Sequence, residues 1–144
     1  MARIPDKVAV ITGAALGIGA ATCTMLAREG AAVAVTDVLE KDGEALARRI
    51  RGDGGKAQFW ALDVTDEAAV ERVFGEVAKA FGKLDVLVNN AGISGESKPT
   101  DELTAEEWDK VININVRGVF FCTKHAIAHM RRAGSGSIIN LSSI

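Results

Sequence analysis

Val8-Ala9-Val10-Ile11-Thr12-Gly13-Ala14-Ala15-Leu16-Gly17-Ile18-Gly19 decides how this chain is read. A run of β-forming residues enters a glycine-rich turn, and a helical pattern follows. Asp37 stands eighteen residues past Gly19, at the end of a second apolar run. A strand, a tight glycine turn, a helix start and a distant acid are the parts of a dinucleotide site. The glycines admit backbone N–H groups to a pyrophosphate, and the helix N-terminus adds partial positive charge. The acid accepts hydrogen bonds from ribose hydroxyls.

Working outward, five β-type runs alternate with helical patterns: Val8–Thr12, Ala32–Asp37, Ala57–Asp63, Leu84–Asn89 and Ser137–Ser142. Most are nearly continuous apolar stretches, as strands are when helices cover both faces of a parallel sheet. Between the third and fourth runs, Val70, Val73, Phe74, Val77 and Phe81 recur at spacings of three and four and share one helix face. Nearer the C-terminus, Thr104-Ala105-Glu106-Glu107 reads as a capping box. Beyond it Trp108, Val111, Ile112, Asn115, Val116 and Val119 are expected on one side of a helix. Strand–helix alternation predicts an α/β fold, a doubly wound parallel sheet with right-handed crossovers. The runs end in the glycine turn, in Asp37, in Asp63-Val64, in Asn89-Asn90-Ala91-Gly92 and in Ser142-Ser143. In an open parallel sheet those ends share one edge, where ligands bind.

The bulk numbers fit one globular domain, residues 1–144, of 48% apolar and 25% charged composition. A net charge of −2 gives no electrostatic footprint for nucleic acid or an anionic membrane. No apolar run approaches the ~20 residues that cross a bilayer. Met1–Lys7 leads straight into the first strand, with no room for a signal peptide. Cys23 and Cys122 form no motif and read as buried, reduced thiols. These features together give a cytoplasmic reading. His125 and His129 share a helix face, but no third metal ligand is visible, so they read as surface or packing residues and no metal is expected.

The glycines are spaced Gly-x-x-x-Gly-x-Gly (Gly13, Gly17, Gly19). Together with Asn89-Asn90-Ala91-Gly92 and Asn140-Leu141-Ser142-Ser143, this spacing resembles the short-chain dehydrogenase/reductase family over essentially the whole chain. The resemblance implies a Rossmann-like sheet in the order 3-2-1-4-5 and an oxidoreductase. Such an enzyme transfers hydride between NAD and a secondary alcohol or its ketone. It implies a cofactor site made of Gly13, Leu16, Gly17, Ile18, Gly19, Asp37, Val38, Asp63, Val64, Asn90, Ala91 and Gly92. Asp37 would hold both adenosine ribose hydroxyls, Asp63-Val64 the adenine edge, and Asn90-Ala91-Gly92 the region under the ribose. A 2′-phosphate would meet Asp37 as a like charge. At ~4 Å and an effective dielectric of ~20 that costs about 4 kcal/mol as an upper guide. Leu16 and Val38 supply no cation to offset it. Asp37-Val38-Leu39-Glu40 also reads as a capping box, and Thr65 and Asp66 are good caps for the helix after Asp63. The resemblance makes Ser143 and Asn115 catalytic. Ser143 would hydrogen-bond the substrate oxygen, and Asn115 would hold a helix distortion and a water in a proton relay. It further implies a homotetramer or dimer built partly on residues 118–132, and Ile93–Pro99 as part of the pocket wall.

The sequence contains no tyrosine. The family's reaction needs a Tyr as acid/base and a Lys four residues later, and both would lie past position 144. The fifth run ends the chain with no sixth strand and no covering helix. The expectation is a chain truncated at its fifth strand, the N-terminal part of a longer enzyme and inactive alone. The alternative is a non-catalytic dinucleotide-binding module, which would have no use for Ser143 or Asn115.

Overall fold

Strands that are apolar on both faces must be covered from both sides, and here they form the middle layer of three. The computed structural model describes residues 1–143. Its strands are β1 (Val8–Ile11), β2 (Ala32–Asp37), β3 (Lys56–Ala61), β4 (Val86–Asn89) and β5 (Ser137–Asn140). All pairings are parallel, in the order β3-β2-β1-β4-β5, as the family resemblance implied. The first, third and fifth strands end one or two residues before their apolar runs do. Thr12, Asp63 and Ser142 therefore sit in the loops beyond the sheet.

Alternation along β1 and β2 divides the core. Ala9, Ile11, Val33 and Val35 face α1 (Gly17–Arg28) and α2 (Glu40–Gly52), meeting Cys23, Ala27, Leu46, Ala47 and Ile50. Val8, Val10, Ala32 and Ala34 face α3 (Glu67–Phe81) and α5 (Gly118–Ala133). There the predicted stripe Val70, Val73, Phe74 and Val77 is fully buried. Phe81, its last member, is partly buried and meets Trp60 edge-on at 5.9 Å. At the opposite edge of the sheet from the strand C-termini, Asp85 is buried. It accepts the Val8 N–H at 2.8 Å and pairs with Lys83 at 3.1 Å, which fixes where β1 enters beside β4.

The last helical stretch corrects the sequence reading. The capping box forms as predicted: Thr104 accepts from Glu107 N–H, and Glu107 accepts from Thr104 N–H. It starts α4 (Ala105–Ile112), but no residue of α4 is buried, and Trp108 and Val116 lie largely in solvent. A π-helical segment, Asn113–Arg117, follows before α5. Its wider turn breaks the 3.6-residue period, so a stripe counted straight through it does not stay on one face. The seam that packs on the sheet is Gly118, Cys122, Ala126 and Met130.

Cys23 and Cys122 are free and buried, and burial pushes both thiols up to about 12. A thiolate is the reactive form. Alkylation of the native protein at neutral pH is therefore expected to spare both positions. Both should label fully after denaturation, as read by peptide mass spectrometry. Modification of either in the folded state would place it outside the core described here.

Candidate active site

β1 and β4 are neighbours, yet the chain leaves them toward opposite faces of the sheet, through α1 and through α4–α5 respectively. The loops must part at that point, and a crevice opens over the strand ends. One side chain holds its two walls in register. The buried Thr12 Oγ1 accepts the N–H of Asn90 at 3.1 Å and of Ala91 at 3.0 Å, and donates to the Val88 carbonyl at 3.4 Å. Asn90 returns the contact, its amide donating to the carbonyls of Thr12 and Gly13 at 3.0 and 2.9 Å.

Gly13 sits at φ +59°, and a Cβ there would lie 2.8 Å from Ala91 Cα. Glycine is thus required by the neighbouring loop as well as by the turn. Gly19 is buried under the turn, against the Gly13 carbonyl and the Asn90 amide. Leu16 precedes α1 without a side-chain cap, and no acid occupies the helix's first turn. The N–H groups of Gly17, Ile18 and Gly19 therefore form a positive helix end that no carboxylate of the chain's own offsets there.

Asp37, the last residue of β2, is 9% exposed. Its Oδ2 accepts from Ala15 N–H at 2.9 Å and its Oδ1 from Leu39 N–H at 3.0 Å. It is not the cap of α2: the residue before that helix is Leu39, which makes no side-chain cap bond. The carboxylate is instead clamped between the glycine turn and its own following loop, with lone pairs left on both oxygens. Asp63 is exposed and folds its loop, accepting from Thr65 N–H at 2.9 Å and Thr65 Oγ1 at 2.7 Å. Asp66 caps α3.

Gly13, Ile18, Asp37, Val38, Asp63, Val64, Asn90, Ala91 and Gly92 line a single groove of about 620 Å³. Leu16, Gly17 and Gly19 shape the turn at its end and are not among the lining residues. Leu39, Leu62, Ile93 and Ile114 complete the wall. The sequence reading gave Leu39, Leu62 and Ile114 no role. The available signal was adjacency, since each lies within two residues of a polar strand-end or helix residue already singled out. Thr12 was missed for another reason: its partners are seventy-eight and seventy-nine residues away.

Asn115 lies within the π segment and is half-buried. Its Oδ1 accepts from Ile93 N–H at 2.9 Å and its Nδ2 donates to the Ile93 carbonyl at 2.8 Å, tying the helix to the loop after Gly92. Ser143 is exposed, three residues past the end of β5. The register beneath it is set by Asn89. The Asn89 amide donates to Asn140 Oδ1 at 2.9 Å and to Thr123 Oγ1 at 3.2 Å. Asn115 and Ser143 are thus at the strand-end edge but not in the groove wall. His125 meets Glu67 Oε1 at 3.0 Å, a packing contact between α5 and α3. Burial, then Arg132 and His125, hold the His129 imidazole below its ordinary value.

Thr12→Val keeps the shape but leaves the Asn90 and Ala91 N–H groups without their acceptor. The expected loss is about 1–3 kcal/mol in stability by urea denaturation. Thr12→Ser, which keeps the oxygen, is expected to cost far less. A larger cost for Thr12→Ser than for Thr12→Val would show that the methyl, not the oxygen, holds the seam.

Comparison with known proteins agrees with this geometry. The model of the short chain dehydrogenase family matches residues 7–144. A cis-4-hydroxycyclohexanecarboxylate dehydrogenase of Sinomonas cyclohexanicum is 50% identical over 139 residues, which is 96% of this chain and 55% of that one. A cyclopentanol dehydrogenase of a Comamonas species is 47% identical over 148 residues, covering 100% and 57%. Among solved structures, an NAD+-bound xylitol dehydrogenase superposes with a TM-score of 0.95 at 35% identity, over 98% of this chain and 54% of that one. The chain spans about half the length of the curated relatives it matches. The match over residues 7–144 takes in every strand and helix, and the chain belongs to the short chain dehydrogenase family.

Proposed function

We propose that the intact protein is an NAD-dependent oxidoreductase that moves hydride between the nicotinamide and a secondary alcohol or its ketone. The observation that carries the reading is the Asp37 carboxylate. It is fixed by two backbone N–H groups at the rim of a groove whose lining includes no Lys or Arg. An acceptor held in place suits two ribose hydroxyls and opposes a 2′-phosphate. The uncapped α1 N-terminus suits the pyrophosphate, and Val38, Leu62 and Val64 offer apolar contact to adenine beside the Asp63 carboxylate. The relatives' printed names, alcohol dehydrogenases and one NAD+-bound enzyme, support the same reading.

When bound, the cofactor supplies the hydride acceptor or donor. The chain's own part is to bind and to polarise. In this reading Ser143 donates a hydrogen bond to the substrate oxygen where charge develops. Asn115 keeps the Gly92–Ile93 backbone and the π turn in one fixed relation. The acid/base Tyr and its Lys are assigned to the part of the protein past residue 144, because these residues contain no tyrosine. Residues 1–144 are read as one dinucleotide-binding domain. We also place the protein in the cytoplasm as a dimer or tetramer. Largely exposed Phe120, near the start of the 118–132 helix, and Val116 just before that helix support that assembly. Among the described residues, no helix is long and apolar enough to cross a membrane.

Cofactor choice is the direct test. NAD(H) is expected to exceed NADP(H) by about tenfold or more in kcat/KM, which needs only ~1.4 kcal/mol of discrimination. Asp37→Ser with Val38→Arg is expected to narrow or invert the ratio. A native preference for NADP(H) would leave Asp37 as a loop clamp only.

Ser143→Ala is expected to lower turnover roughly 10²-fold with little change in cofactor affinity, the scale for losing one oxyanion-type donor. Ser142→Ala should be much milder. Steady-state kinetics on the intact protein read both, and exchanged phenotypes would move the assignment by one residue.

A further inference from the structure

The groove's adenine edge rests on a residue that does not line the groove. Val64 is a groove residue and at the same time a member of the core under α5. It seats on Gly118, the first residue of α5 and itself buried. A Cβ at Gly118 would lie 2.6 Å from Val64 Cγ2, 3.1 Å from Val64 Cβ and 3.5 Å from the Val64 carbonyl oxygen. Gly118 sits in a helical conformation, φ −59° and ψ −42°, so no turn requires a glycine there. Its demand is space, and the three nearest atoms to that space all belong to Val64.

That neighbour cannot yield locally. Valine is stiff at χ1, so its Cγ2 methyl, 2.6 Å from that Cβ, does not swing clear freely; its Cβ at 3.1 Å is tight and its carbonyl at 3.5 Å is in ordinary contact. The loop around it is bonded to β2, Leu62 N–H to the Asp37 carbonyl, and within itself, Asp66 N–H to the Asp63 carbonyl and Thr65 to the Asp63 carboxylate. Just beyond the loop, Glu67 is fastened to α5 by Lys124 Nζ at 2.6 Å and His125 Nε2 at 3.0 Å. Residues 62–67 therefore have little local slack, and a push on Val64 is passed to the Asp63-Val64 edge as a whole.

We propose that Gly118 is a positioning residue for the adenine end of the groove. By offering no side chain, it lets Val64 settle on α5 and so sets how far the Asp63-Val64 edge stands from Asp37. This rests on reading the groove as a dinucleotide site. Any side chain at 118 is expected to push the edge off its seat and weaken binding of the adenosine half, leaving the nicotinamide end and the chemistry in place. Alanine is a better helix former than glycine, so the fold of α5 is not what is at risk.

The experiment titrates ADP-ribose, which lacks the nicotinamide, into the intact protein by calorimetry, alongside steady-state kinetics with NAD. Gly118→Ala is expected to weaken ADP-ribose and raise the KM for NAD about fivefold or more, with kcat unchanged within about twofold. Val64→Ala combined with Gly118→Ala removes the colliding methyls. It should bind ADP-ribose as Val64→Ala alone does, which a helix defect would not permit. If Gly118→Ala fails to fold, that double variant decides: folding with the affinity of Val64→Ala supports the proposal, and failure to fold overturns it. Unchanged ADP-ribose affinity in folded Gly118→Ala overturns it as well, as does a loss of kcat matching the loss of affinity. Native protein that does not bind ADP-ribose at all would instead overturn the dinucleotide reading, and this inference with it.

Discussion

A parallel sheet entered at its central strand has to send its connections to both faces, and where the two directions meet the backbone is left open. In this chain the opening is between β1 and β4, and one hydroxyl spans it. Thr12 collects two N–H groups from the opposite loop, and Asn90 answers with two donations to carbonyls of the glycine turn. Each of those four backbone groups lies past its strand, beyond the reach of the sheet ladder. The seam satisfies them without closing the crevice. Everything else at the site is placed relative to that seam: the turn before α1, the Asn-Asn-Ala-Gly loop, and the groove between them.

The two buried acids show how position in the sheet assigns work to a carboxylate. Asp85, at the N-terminal edge, is surrounded by partners of the chain's own: the Val8 N–H and the Lys83 and Lys7 ammonium groups. Asp37, at the C-terminal edge, has two N–H partners and no ammonium group within ion-pair distance among the described residues. Charge on Asp85 is neutralised by structure. Charge on Asp37 is held still but left to face the groove. Fixing it before any ligand arrives removes rotamer freedom that binding would otherwise have to remove, which favours affinity.

Much of this was legible in the sequence, and the reasons are local. Doubly covered strands are continuous apolar runs, so Val8–Ile11 and Ala32–Asp37 could be located almost to the residue. The stripe of α3 obeys one period from end to end and was read correctly. Nine of the twelve residues put forward for cofactor contact line the groove, because glycine turns and polar strand ends announce themselves. What stayed hidden was non-local or carried no side chain. Thr12 is one β-former among several until its partners across the crevice are known. The α5 seam was not legible because Gly118, Cys122 and Ala126 are small, while the larger Trp108 and Val116, expected on the packed side, are exposed. The period count failed at residues 113–117, where the helix stops being α-helical.

That π turn has a consequence for how the chain tolerates changes of length. An α-helix advances about 100° per residue, so one residue more or fewer is a rotation as well as a translation. Within the segment the chain is committed to Ile93 through Asn115. Downstream it is committed to the sheet through the small-residue seam. The surplus residue is what lets both commitments hold at once. Deleting Val116 or Arg117, which lie between Asn115 and the seam, would shorten the spacing by one residue and put the two commitments out of phase. Such a change has no small version: either Asn115 turns from the loop or the seam turns from the sheet. In this stretch the residue count is as constrained as residue identity, although no single side chain enforces it.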